Sequence, residues 1–230
     1  MVHGRFLTDN STFFAAALKG EWKEAQSREV TLPEDDPSMF DMYLGWVYER
    51  TFTVESEDPK AMAGDSDDSE SLYVDGTMTC LEAYILGDKL GDDKFCDAAM
   101  TALLRLCYRQ KTWLDDGEVA YIYEETSEDS PLRKFAVDQW LHQAHLGWIT
   151  QSAQENMKNL PQQFYIDYVC ANVQSQVKRV ILRQNNMSDK LNPCAYHLHE
   201  KSGLPCCVKP EAHFDLGGES QKTLSSERKH

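Results

Sequence analysis

The residue types best suited to chemistry lie near the end of the chain, where cysteines and histidines cluster. Their spacing is C-x2-H-x-H-x6-C-C, and they are Cys194, His197, His199, Cys206 and Cys207. A structural zinc ion takes four nitrogen or sulfur ligands in a tetrahedron, and this spacing can supply them. Cys194 and His197 would form one half of the site, and one or two of the other three residues would complete it. Because adjacent cysteines do not easily bind the same ion, the candidate metal ligands are Cys194, His197, His199 and Cys206.

The alternative for this segment is an ordinary polar tail without a metal, because its spacing matches no standard zinc finger. In the other direction, a weakly hydrophobic segment that cannot fold by itself gains most from a bound ion. A second pair, His142 and His145, has the spacing of one helical face. No third ligand follows it nearby, so we interpret this pair as surface residues.

The sequence carries no motif that is typical of an enzyme. It lacks a glycine-rich phosphate loop, a nucleophile elbow, an H-E-x-x-H pair and a nucleophile set beside a base. Its carboxylates fall in predicted loops and on exposed helix faces, where charge usually serves solvation. We therefore expect a non-enzymatic protein.

Charge and composition limit the partners. The formal net charge is −15, from 38 acidic and 23 basic residues, which disfavours non-specific binding to nucleic acid or to an anionic membrane. No apolar run approaches the roughly 20 residues that span a bilayer, and the first residues lack the apolar core of a signal peptide. The odd number of cysteines, seven, indicates reduced thiols in the cytoplasm or the nucleus.

The polar and apolar pattern predicts three regions. Residues 1–109 form a partial domain, interrupted at 55–76 by an insertion that carries eight acidic residues and one lysine and that we expect to be disordered. Residues 112–184 form a helical extension. Residues 185–230 form a polar, partly disordered tail that contains the Cys/His cluster.

The extension is predicted to be wholly helical. Val119 and Ile122 mark its first helix, Ser130-Pro131 opens the second, and Pro161 opens the third. The third helix carries a long apolar stripe, namely Tyr165, Tyr168, Val169, Val173, Val177, Val180 and Ile181. Such a stripe is more often part of a core than a docking groove.

The first region mixes predicted strands and helices. Arg28–Leu32 alternates like a half-buried strand, and Thr51–Val54 has the β-branched and aromatic residues of a second strand. Between them, Asp36-Pro37 is a helix start, with Asp as the N-cap and Pro at the first helical position. Two further helices are predicted, starting at Thr79 or Asp75 and at Asp92 or Asp93. Cys96 and Cys107 beside the apolar faces of the later helix are expected to be buried thiols.

Five pieces of this region resemble, in order and spacing, a BTB (POZ) domain of the type abundant in filamentous fungi. They are Ser11–Leu18, Gly20–Glu24, Leu32–Pro37, Phe40 with Trp46–Tyr48, and Ala83–Leu90. The resemblance implies an α+β fold, mostly helical with a small sheet and followed by the helical extension. It also implies that the chain is N-terminally truncated relative to the family, because the first strand and most of the second have no counterpart.

The resemblance also implies what the chain does. BTB domains pair with themselves or with other proteins, and a subset are substrate adaptors for cullin-based ubiquitin ligases, with a helical extension that enlarges the surface held by the cullin scaffold. We expect homodimerisation or another protein partner. The residues expected to form the core and the interaction surface are Phe13, Phe14, Leu18, Trp22, Phe40, Leu44, Trp46 and Tyr48. The adaptor signature falls at Thr79-Cys80-Leu81, which departs from the family pattern.

The sequence therefore favours a non-enzymatic protein-interaction module, with the role of a ubiquitin-ligase adaptor as a narrower hypothesis. The alternative is a nuclear regulatory protein whose Cys/His tail is stabilised by zinc. Direct DNA binding is not expected, because the chain has no basic recognition helix.

Overall fold

The computed structural model describes residues 3–19, 22–52, 54, 76–110, 112–143, 157–182 and 193–199. The helices in these ranges are α1 (Gly4–Asn10), α2 (Thr12–Ala17), α3 (Lys23–Ser27), α4 (Pro37–Glu49), α5 (Gly76–Leu90), α6 (Asp93–Gln110), α7 (Asp116–Glu125), α8 (Pro131–Gln143) and α9 (Gln162–Leu182), followed by a 3-10 helix at Pro193–Tyr196. None of the helices in these ranges is long and apolar enough to cross a membrane.

The expected small sheet, and with it the α+β fold class, is wrong. The described residues are mostly helical and include no strand. Arg28 ends α3 in the left-handed conformation (φ 57°), and the residues that follow it form no ladder. Phe52, in the second predicted strand, packs edge-on against Phe95 of α6, with ring centroids 5.6 Å apart. β-Branched and aromatic residues pack well both within a sheet and against helices, and here the surface that they pack on is helical.

The centre of the fold is the hairpin formed by α5 and α6. Gly91 connects the two helices with φ +64°, a left-handed conformation that favours glycine. At Gly87 a Cβ atom would lie 2.8 Å from Cys96 Sγ, so the glycine lets the two helices approach closely. The largest fully buried side chains of the hairpin are Leu81, Tyr84, Leu90, Phe95, Met100 and Leu103.

The N-terminal helices α2 and α4 pack on this hairpin. Asp36 caps α4 by accepting a hydrogen bond from Ser38 N–H at 2.8 Å, which confirms the predicted helix start. Tyr43 is fully buried, with its ring 5.1 Å from that of Phe95, and its hydroxyl donates to Asp92 Oδ2 at 3.3 Å. Asp92 Oδ1 accepts from Phe95 N–H at 3.1 Å and so caps α6 where a start was predicted.

The predicted helices of the C-terminal half are present. A capping box joins Asp115 and Glu118 at the start of α7. Buried Arg133 of α8 donates to the carbonyls of Tyr123 and Thr126 at the end of α7, so its charge satisfies carbonyls that the helix leaves open. The boundaries at residues 109, 112 and 184 stay predictions. The insertion 55–76 lies outside the described residues except for Gly76, the first residue of α5.

Candidate functional site

The Cys/His segment is attached to α6 and α8 by its own side chains. Tyr196 is 3 % exposed, its ring lies edge-on against Phe135 at 5.3 Å, and its hydroxyl donates to Asp138 Oδ2 at 3.0 Å. Lys134 Nζ donates to the carbonyl of Ala195 at 3.0 Å. The seven-residue segment is thus held against α8 by one aromatic anchor and two polar contacts.

Asp97 of α6 holds the other end of the segment. Its Oδ1 accepts from the backbone N–H of Leu198 at 2.6 Å. Burial raises the pKa of Asp97, although the hydrogen bond from Leu198 N–H and the nearby imidazole of His199 act in the opposite direction. The carboxylate therefore fixes the backbone between the two histidines of the H-x-H pair.

Three of the four predicted metal ligands come together here. One potential ligand atom from each of Cys194, His197 and His199 lies within 4.8 Å of the other two. The imidazoles of His197 and His199 are 6 % and 7 % exposed, and their centroids are 5.3 Å apart with the rings nearly perpendicular. Cys194 is half-buried. The arrangement is a compact N,N,S donor set.

Thr101 of α6 determines the tautomer of His197. The hydroxyl of Thr101 donates its single hydrogen to the carbonyl of Asp97 at 2.8 Å. It lies 3.1 Å from His197 Nε2, so in that contact the hydroxyl accepts and Nε2–H donates. The Nδ1 lone pair then faces away from Thr101. Burial, and next the neighbouring His199, lower the pKa of His197 to about 4, so the imidazole is neutral.

His199 has a buried nitrogen that makes no hydrogen bond with any described residue. Among the described residues, only Trp46 Nε1 and His199 Nε2 are buried side-chain nitrogen or oxygen atoms that make no hydrogen bond. Leaving such an atom unsatisfied costs about 1–3 kcal/mol. In a cluster that also presents a thiol and a second imidazole, a metal–nitrogen bond would satisfy it.

No family model and no curated protein matches the sequence, and no solved structure matches the fold. The BTB resemblance therefore stays a prediction.

The remaining sequence candidates divide between described and undescribed residues. Cys206, Cys207 and His145 lie outside the described residues, and His142 is exposed at the end of α8. The prediction of buried thiols is confirmed at Cys96 and Cys107. Burial raises the pKa of both thiols, and that of Cys107 rises to about 11.

The eight candidate core and interaction residues differ in their exposure. Phe14 is 3 % exposed and belongs to the core, with five other candidates half-buried, namely Phe13, Leu18, Phe40, Leu44 and Trp46. Trp22 is 68 % exposed and Tyr48 is 42 % exposed. Sequence reasoning missed Asp97 and Thr101, because their partners lie about a hundred positions further along the chain and leave no local pattern.

A second candidate surface lies on α9. Ile166, Val169 and Val173 are 47 %, 57 % and 56 % exposed, and Cys170 beside them is exposed. We call these four residues the α9 row. The opposite face carries Phe164, 1 % exposed, which packs on α8 and α7. The expectation that the whole stripe is core is thus wrong for Val169 and Val173, while the side chains of Val177, Val180 and Ile181 lie outside the described residues.

Proposed function

We propose that the chain is a non-enzymatic protein-interaction module that associates with a second copy of itself through the α9 row. The observation that carries the proposal is the exposure of three branched aliphatic side chains on one face of a 21-residue helix. Their positions, 166, 169 or 170, and 173, alternate three and four residues apart, as apolar residues do in the seam of a two-stranded coiled coil.

The surroundings of the row favour a second copy over a charged partner. A chain with a net charge of −15 repels its own copies over most of its surface. The row is flanked instead by exposed uncharged amides, namely Gln162, Gln163, Gln174 and Gln176. The one acidic residue between positions 162 and 176 is Asp167, which accepts from Tyr123 Oη at 2.7 Å and from Gln163 Nε2 at 2.9 Å. Two copies can therefore meet along the row without bringing like charges together.

A twofold-symmetric contact follows from this arrangement. In such a contact the same patch of each copy faces the other, so a short row needs no second complementary surface. The narrower hypothesis of a cullin adaptor rests on the BTB resemblance alone and stays a prediction.

The test is the mass of the purified chain in sedimentation velocity over a range of concentrations. We expect the wild-type chain to sediment as a dimer and Val169→Asp to sediment as a monomer, because the new carboxylates would face each other across an apolar contact. Ser127→Asp is the matched control, since it adds the same charge at an exposed loop position, and it should remain dimeric. A monomeric wild-type chain, or a dimeric Val169→Asp variant with wild-type affinity, would overturn the proposal.

A further inference from the structure

We infer that Cys194, His197 and His199 bind a zinc ion and that the ion fixes the conformation in which residues 193–199 pack on α6 and α8. This zinc site would order a segment within one chain, and it does not depend on dimerisation. Three observations support the site: the spacing of the donor atoms, the hydrogen bonds that orient the imidazoles, and the contacts that hold the backbone of residues 193–199.

The donor atoms are already near the geometry of a tetrahedral site. With Zn–N bonds of about 2.0–2.1 Å and a Zn–S bond of about 2.3 Å, ligand atoms in a tetrahedron lie roughly 3.3–3.8 Å apart. The three ligand atoms here lie within 4.8 Å of one another. Side-chain rotations would bring the three atoms to these separations. A mixed imidazole and thiolate set is typical of zinc, whereas Mg²⁺ and Ca²⁺ prefer oxygen ligands.

The hydrogen bonds around His197 resemble those of a metal-binding histidine. Such a histidine usually donates its second ring N–H to a fixed acceptor, which sets the tautomer and the orientation of the ring. Thr101 Oγ1 is that acceptor for Nε2–H at 3.1 Å, and its own hydrogen is committed to the carbonyl of Asp97 at 2.8 Å. Nδ1 of His197 therefore carries the lone pair that binds the ion.

His199 supplies the second nitrogen. Its Nε2 is buried, makes no hydrogen bond with any described residue, and belongs to a side chain that is 7 % exposed. A buried histidine nitrogen without a hydrogen-bond partner is uncommon, because nothing offsets the free-energy cost of removing it from water. Binding of zinc through Nε2 removes this deficit.

The backbone that carries the ligands is fixed on both sides. Asp97 holds Leu198 N–H at 2.6 Å, between the two histidines, and Tyr196 is tied to Asp138 at 3.0 Å, between Cys194 and His197. Because these contacts restrict the ligands before the ion arrives, less conformational entropy is lost on binding. A structural zinc ion has four ligands, and a water molecule would supply the fourth beside the three described side chains.

The experiment measures zinc directly on the full chain. Zinc content after dialysis, by plasma mass spectrometry, and competition with a chromophoric chelator should give one tightly held ion per chain. Cobalt(II) in place of zinc should give the intense visible bands of a tetrahedral site together with a thiolate-to-cobalt charge-transfer band. The zinc and cobalt measurements are made on the wild-type chain, so a variant that fails to fold leaves the test intact.

The variants assign the ligands. We expect Cys194→Ser and His199→Ala to weaken zinc binding at least about 100-fold, with the thiolate band lost in Cys194→Ser. The matched controls are Cys170→Ser and His142→Ala, which remove an exposed cysteine and an exposed histidine away from the cluster, and both should bind zinc as the wild-type chain does.

Cys206→Ser should leave the zinc affinity and the cobalt spectrum unchanged, and a lost thiolate band in this variant would contradict the assignment of the sulfur ligand to Cys194. The inference would be overturned if the wild-type chain held no stoichiometric zinc, or if His199→Ala held it with wild-type affinity. Val169→Asp should keep the ion, so that failure of the dimer and failure of the metal site are separable.

Discussion

Helix α9 and the segment 193–199 are close in the chain but depart in opposite directions from what their sequences suggest. The segment belongs to a tail that is predicted to be polar and partly disordered, yet it buries two histidines to 6 % and 7 % exposure. The helix has the apolar stripe of a core element, yet it leaves Ile166, Val169 and Val173 about half exposed. A buried polar group calls for a ligand, and an exposed apolar row calls for a partner. The buried histidines therefore point to a bound ligand, and the exposed aliphatic residues of α9 point to a protein partner.

The largest effect is expected on the buried face of α9. Phe164→Ala should lower the free energy of unfolding by about 3–5 kcal/mol, because it leaves a cavity beside Tyr123 and Trp140. Val173→Ala on the exposed face should cost at most about 0.5 kcal/mol. Chemical denaturation of both variants in the monomeric Val169→Asp background measures the difference. Equal losses would mean that the row is part of the core and that the contrast between the two faces does not exist.

Removal of the metal should act next, and only on the segment. With zinc stripped by a chelator, the amide of Leu198, which donates to Asp97, should exchange with deuterium on the order of 100-fold faster, because the segment would lose the ion that holds it in the conformation that packs on α6. Amides of the α5–α6 hairpin should keep their protection. Uniform loss of protection throughout the chain would instead indicate that the ion supports the whole fold.

A smaller effect is expected at Thr101, which orients His197 but is not one of the three proposed zinc ligands. Thr101→Val removes the acceptor for His197 Nε2–H and should weaken zinc binding by about 10–100-fold. Thr101→Ser keeps the hydroxyl and should restore binding. If Thr101→Ser binds as weakly as Thr101→Val, the methyl packing of Thr101 matters and its hydrogen bond does not.

The mildest probe tests the symmetry of the α9 contact. In an antiparallel pair centred on the row, Cys170 of one copy lies near Cys170 of the other, since this residue is at the middle of 166–173. A short bis-maleimide should cross-link the wild-type dimer, and Cys170→Ser should abolish the product. Absence of the product in a chain that still sediments as a dimer would place the contact elsewhere.

Local signals made the helices predictable. Asp36-Pro37 and Asp92 each place a side-chain acceptor beside open backbone N–H groups, and such caps depend only on neighbours in sequence. The strands at Arg28–Leu32 and Thr51–Val54 were wrong because their alternation and residue types report a packed surface, which here is provided by helices.

The site was predictable only in part. Cysteine and histidine spacing named Cys194, His197 and His199, because these ligands are close in the chain. Asp97 and Thr101 are separated by 101 and 96 positions from the groups that they hold. Their roles depend on tertiary structure, and an aspartate and a threonine one helical turn apart have no distinctive signature.

The short connection between α5 and α6 has a consequence for the order of folding. Since Gly91 and Asp92 alone separate the two helices, most contacts of the hairpin are local in sequence, and such contacts form quickly. The hairpin can assemble during translation as soon as α6 has left the ribosome, and it then offers Asp97 and Thr101 on a finished surface. The segment 193–199 is synthesised about a hundred residues later, so it docks on a surface that is already formed, and a shortage of metal would affect this docking and leave the hairpin intact.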